Sequence, residues 1–241
     1  MRLQEVPAAL DCAPMLLPID ELPVDELRVE AARYAVLRRL APALRHHLVR
    51  PLQPMTLIYS VMHHKLSAVT PDIKALQTQA DKINELAQAA LVQCIDISSW
   101  MAPEPGIFVE LHAGVMECVG LVATTLHFRG FHLVNEVGDE TRLVRQDSLR
   151  MLLIAALFEI TDALNEPATV TLGSTCHANE LVLSIQVSSH DQGSIENYDD
   201  GCRKMIWSDV QALAASEGVG LTREHGSVTL RFPTAALQAV A

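Results

Sequence analysis

The chain has 241 residues, of which 49% are apolar, 20% charged and only 4% aromatic, and it carries a net charge of -11. That length can hold one large domain or two modest ones with cores of their own, and the composition excludes a disordered chain. The acidic balance, with no Lys/Arg stripe along any segment, argues against a nucleic-acid partner. The scattered cysteines Cys12, Cys94, Cys118, Cys176 and Cys202 include no CxxC pair; they fit packed, reduced thiols in a cytoplasmic protein.

Residues 1–24 are rich in proline (Pro7, Pro14, Pro18, Pro23) and predict an extended lead-in. Asp11 and Pro14 interrupt its apolar stretch, which falls short of the roughly 18 apolar residues of a membrane span, so no membrane partner is expected. A helical pattern follows from Val24 to Val69. Thr70-Pro71-Asp72 then reads as a turn, with Thr70 as cap and Pro71 at the first position of a second helix. That helix runs to Trp100, where Pro103, Pro105 and Gly106 end it.

Apolar residues recur at alternating steps of three and four in both helices. The first seam is Leu37, Ala41, Leu44, Leu48, Pro51, Met55, Ile58 and Met62. The second is Ile73, Leu76, Ala80, Ile83, Ala87, Ala90, Cys94, Ile97 and Met101. Leu40, Leu52, Leu57, Val61, Leu86 and Leu91 widen each stripe beyond the needs of two strands. A hairpin apolar on more than one side predicts a homodimer that closes a four-helix bundle.

After Gly106 the pattern changes to alternating short strands and helices. Strands are predicted at Phe108–Leu111, Phe131–Asn135, Leu143–Val144, Thr169–Leu172, Leu181–Val187 and Ser227–Phe232. Helices are predicted at Gly114–Leu126, Gln146–Leu164 with Asp147 or Ser148 as cap, and Asp209–Ser216. The expected fold class is α plus α/β: an antiparallel hairpin domain (residues 25–102), then an α/β sandwich with helices on one sheet face (residues 107–241).

Within the first helix lies Leu44-Arg45-His46-His47-Leu48-Val49-Arg50-Pro51-Leu52. It resembles the phosphoacceptor box of two-component sensor histidine kinases: His, an acidic residue, Leu, Arg, a polar residue, Pro, Leu. Anchored on Pro51 and Leu52, the resemblance makes His46 the phosphoacceptor and His47 an auxiliary group where the family has its acidic base. The heptad count places His46 on the outward face, where a neutral imidazole nitrogen could attack phosphorus. Arg39, Arg45 and Arg50 would then receive the acidic surface of a response-regulator receiver domain.

The second half is similar in spacing to the kinase ATP-binding domain. The similarity runs from Arg129-Gly130 through the long helix and its following strand to Gly218-Val219-Gly220. In full, the resemblance covers residues 30–233. It implies nucleotide-site remnants at Glu159, Asp162, Asp191, Gly193, Gly218 and Gly220.

The departures from the family pattern shape the expected activity. The two Asn-type positions that would hold Mg²⁺ and phosphates align with Ala155 and Glu159. The adenine-reading element is reduced to Asp191-Gln192-Gly193, and Asn197–Trp207 is too short for a phosphate lid. Losing the metal ligands and the phosphate cradle removes the main electrostatic support for phosphoryl transfer from ATP. The expected function is therefore histidine phosphotransfer between receiver domains through His46, with no cofactor. Two alternatives are a divergent ATP-dependent histidine kinase using Mg-ATP and a non-catalytic dimeric scaffold for a response regulator or kinase.

Plainer readings exist for each feature. His46 and His47 could be solvated helix histidines, and Glu159 and Asp162 exposed carboxylates of an amphipathic helix. Asp191 and Gly193 could be a turn, the arginines a solvated face, and Trp100 and Trp207 packing residues. No metal site is expected, because His46 and His64 share a helix face but lie about 27 Å apart along the axis.

Overall fold

The computed structural model describes residues 24–139, 141–177, 180–189, 201–224 and 226–233. Helix α1 (Val24–Leu66) carries Asp25 and Glu26 in its first turn and His63, His64 and Lys65 in its last. Both sets complement the helix dipole. Helix α2 (Ile73–Met101) is capped by Asp72, whose carboxylate accepts the Ala75 N–H at 3.1 Å. Thr70, predicted as the cap, lies too early. Asp72 satisfies a free amide and adds a negative charge at the positive end.

Along α1 the predicted seam holds from Leu44 through Leu48, Pro51, Met55, Ile58 and Met62, all buried or half-buried, whereas Ala41, expected on the same seam, is exposed. The second seam divides. Leu76, Ile83, Ala90 and Ile97 are buried or half-buried with Gln79, Leu86, Gln93 and Trp100. Ile73, Ala80, Ala87, Cys94 and Met101 are exposed.

The remaining elements are β1 (Phe108–Glu110), α3 (Leu111–Phe128), β2 (Phe131–Asn135), β3 (Leu143–Arg145), α4 (Gln146–Ala163) and β4 (Ala168–Cys176). They are followed by β5 (Glu180–Ser189), α5 (Trp207–Glu217), β6 (Gly220–Glu224) and β7 (Ser227–Pro233). β1 and β3 form a small antiparallel ribbon. The main sheet has the order β2-β4-β5-β7-β6, with β2 and β4 parallel and all other pairs antiparallel.

Strand β6 escaped sequence prediction. It is an edge strand, exposed or half-exposed at every residue, so no buried face imposes an alternating pattern. The predicted caps of α4 are also displaced. Arg145 stands at the cap position, and Asp147 within the first turn accepts the Ser148 N–H.

Helix α4 is buried at every residue from Ser148 to Thr161, which its nearly unbroken apolar sequence requires. The sheet lies beneath it, α3 and α5 flank it, and the first half of α1 lies over it. Ala32, Val36, Leu40 and Leu44 of α1 and Trp100 of α2 belong to the same core as α4 and the sheet strands. The predicted boundary near residue 102 therefore does not divide the packing, since residues 25–44 are built into the α/β core.

Helix α3 is long and apolar enough to match a membrane span, yet Leu111, Val115, Cys118, Val122 and Leu126 pack in this core. Burial, aided by the neighbouring Glu117, raises the Cys118 thiol pKa far above its ordinary value and keeps it protonated.

Candidate functional site

The site starts from α1. His46 is exposed and His47 half-buried, with ring centroids 6.5 Å apart and planes tilted by 60°. Successive helical residues diverge by about 100°, so the two imidazoles serve different surroundings. Arg45 and Arg50 flank His46 and are exposed. Pro42, Pro51 and Pro54 sit inside α1, which continues as one helix through all three. Each removes one amide donor, so the carbonyls of Arg38, His47 and Arg50 lack their usual intrahelical partners. Two of the three gaps therefore bracket His46 on either side.

Arg39 does not join Arg45 and Arg50. Its guanidinium donates to both carboxylate oxygens of Asp162 on α4, at 2.5 and 3.0 Å, and lies 4.0 Å from the centre of the Phe158 ring. Arg129 donates to the same carboxylate at 2.8 Å, as does the Met205 N–H at 2.9 Å. The Arg39 and Asp162 side chains are each only 4% exposed. The expectation of Arg39 as a docking residue is corrected, because an internal ion pair consumes its charge.

The same cluster corrects the nucleotide role expected for Asp162: the residue clamps α1 and α3 to α4. Glu159 is also buried and is paired with Arg223 of β6 at 2.8 Å. Ala155, at the other nucleotide-type position, is fully buried.

Gly218 ends α5 in the left-handed region (φ 66°), where a glycine cap releases helix strain. A Cβ on Gly220 would come within 3.1 Å of the Arg231 Cβ. Both glycines thus have a local reason unrelated to phosphate. Asp191 and Gly193 lie outside the described residues.

A second clamp holds the end of the hairpin. Arg150 of α4 is ion-paired with Asp96 of α2 and Glu117 of α3, and it donates to Ser99 Oγ at 2.8 Å. The Trp100 indole donates to Glu117 at 2.9 Å. Glu217 at the end of α5 accepts from Arg33 of α1 at 2.7 Å and from Ser148 at 2.9 Å. Sequence reading missed these residues, although Arg150 gave a signal: a lone arginine inside an apolar helix requires a buried partner. Among the described residues no cluster of His, Cys, Asp and Glu could hold a metal ion.

No family model matches the chain, and no curated protein does. Among solved structures it is similar to catalytic cores of histidine kinases. The histidine kinase AdeS of Acinetobacter baumannii is 11% identical, with a TM-score of 0.42 over 78% of this chain and 97% of that one. A histidine kinase of Burkholderia phymatum is 16% identical, with a TM-score of 0.41 over 84% and 97%. The histidine kinase ThkA, in complex with the response regulator TrrA, is 13% identical, with a TM-score of 0.40 over 89% and 68%. This likeness concerns the architecture alone, a helical hairpin followed by an α/β domain.

Proposed function

We propose that this chain is a dimeric histidine phosphotransfer protein in which His46 takes a phosphoryl group from the aspartate of one receiver domain and gives it to another. The observation that carries this reading is the double role of α1. The helix presents His46 to solvent and, within the same chain, lies over α4, where Ala155 and Glu159 are buried. The group that would accept phosphate is open, and the positions that would hold Mg-ATP are closed.

In the transfer step a neutral ring nitrogen of His46 forms the P–N bond as the P–O bond to the aspartyl carboxylate breaks. The carboxylate leaves with the electron pair and a ring proton passes to water. The aspartyl phosphate supplies the driving force, so the chain needs no nucleotide. Incubation with phosphorylated receiver domains, followed by mapping of acid-labile phosphate, tests the proposal. Label on His46 is expected, and label absent from every histidine would count against it.

Two further expectations accompany this reading. Titration of the chain with Mg-ATP in a calorimeter should give no binding at physiological concentration. Sub-millimolar affinity would favour the divergent-kinase alternative.

The second concerns the dimer. The exposed line on α2 includes Ile73, Ala80, Ala87, Leu91 and Ile95, with Leu91 62% exposed, and it carries no charge. Val49, Leu52 and Tyr59 of α1 are also exposed. A second hairpin would bury this apolar surface. Ala87→Glu would place two unpaired carboxylates in that interface and weaken the dimer by about 100-fold or more. Sedimentation equilibrium measures the shift, and a wild-type chain monomeric at micromolar concentration would refute the dimer.

A further inference from the structure

We infer that the segment from Gly201 to Ile206 forms the second half of the surface on which the receiver domain docks, with Lys204 and Arg203 as its basic contacts. The inference rests on the proposed phosphotransfer at His46. In sequence this segment stands more than 150 residues from His46, and the fold brings it against the same helix. The Met205 N–H is held by Asp162, the residue that also holds Arg39 of α1, and Arg38 donates to the Gly201 carbonyl at 3.5 Å.

Helix geometry fixes where His46 stands relative to that contact. From Arg39 to His46 is seven residues, which is two turns to within about 20° and a rise of about 10 Å. His46 therefore projects from the same face of α1 that grips the α/β domain, one short step beyond the grip. A globular partner reaching His46 along this face meets the Gly201–Ile206 segment as well.

The chemistry of the segment identifies what fits there. Arg203 and Lys204 are exposed, and Ile206 is 53% exposed, which adds apolar area at the rim. The carboxylates at its base, Asp162 and Asp209, are buried and already paired with arginines. Arg38, Arg45 and Arg50 of α1 are likewise exposed, so helix and segment both offer basic side chains on a chain whose net charge is -11. The complementary occupant is the carboxylate-bearing face of a receiver domain around its phosphorylated aspartate.

The test compares two charge reversals of equal size. Lys204→Glu changes the proposed surface. Arg231→Glu changes an exposed arginine on the sheet strand β7. Receiver domains of the source organism, charged with acetyl phosphate, serve as donors, and binding is followed in parallel by calorimetry. Lys204→Glu should lower both receiver affinity and transfer rate about tenfold at low salt, with the defect shrinking as ionic strength rises. Arg231→Glu should change either by less than about twofold.

Arg203→Gln provides a milder second variant, since Arg203 also pairs with Asp209, and a loss of about three- to fivefold is expected from it. Equal losses from Lys204→Glu and Arg231→Glu, or none from either, would overturn the docking surface. Receiver binding that depends on Lys204 without phosphate on His46 would refute the phosphotransfer reading and leave the surface standing. Failure of every receiver to bind would sink both.

Discussion

His46→Gln should abolish phosphoryl acceptance from a phosphorylated receiver, a loss of at least about a thousandfold, while dimerisation and receiver affinity stay within about twofold of wild type. The side chain is exposed on the helix surface, so the substitution removes the nucleophile and little else. His47→Gln should slow transfer by about tenfold or less, because His47 is half-buried beside the hairpin seam and points about 100° away. Transfer from a receiver labelled with radioactive phosphate, followed by acid and base stability of the product, measures both. If His46→Gln still took label and His47→Gln did not, the acceptor would be the neighbour. If both variants signalled like wild type, the scaffold alternative would gain.

Asp162→Asn should be among the most destabilising single changes in the chain. The carboxylate is the shared partner of Arg39, Arg129 and the Met205 N–H. Its neutralisation removes a counter-charge that two neighbouring guanidiniums share, one of them on a side chain only 4% exposed. Breaking a buried pair from one side costs about 3–5 kcal/mol. For a chain of this length that corresponds to a fall in Tm of about 6–20 °C.

A thermal melt followed by circular dichroism measures it. Pairing Asp162→Asn with Arg39→Met should recover part of the loss, giving a coupling of about 1.5 kcal/mol or more, since the second change removes one of the two guanidiniums that share Asp162. A Tm within about 2 °C of wild type would mean that the clamp does not hold α1 to α4.

The secondary structure and its order were legible because they rest on local patterns. The three-and-four spacing of Leu44, Leu48, Pro51, Met55, Ile58 and Met62 marks one face of a helix wherever the chain goes. The apolar run of α4 demands burial on all sides. The alternation of Leu181, Leu183 and Ile185, all fully buried, marks a half-covered strand. The heptad count likewise places His46 on the outward face of α1, where the side chain is exposed, because the relation between a helix residue and its neighbours is fixed by 3.6 residues per turn.

Long-range partnership was not legible. Arg39, Arg45 and Arg50 look alike in sequence, as exposed helix arginines near one histidine. Only the fold distinguishes them, by setting Asp162 of a distant helix against Arg39 and leaving the other two in water. Glu159 and Asp162 look like surface carboxylates or nucleotide ligands until Arg223, Arg129 and Arg39 arrive from other elements. Lys204 carries no signal at all until its segment is seen beside α1.

Sequence by itself determined the helices and the strands other than the exposed edge strand β6, and that His46 rather than His47 stands outward, because backbone periodicity and the apolar pattern act over a few residues. Tertiary structure alone decided which charges are spent inside and which remain at the surface. A buried ion pair is set by the meeting of chain segments far apart in sequence, and desolvation allows such a charge no unpaired alternative.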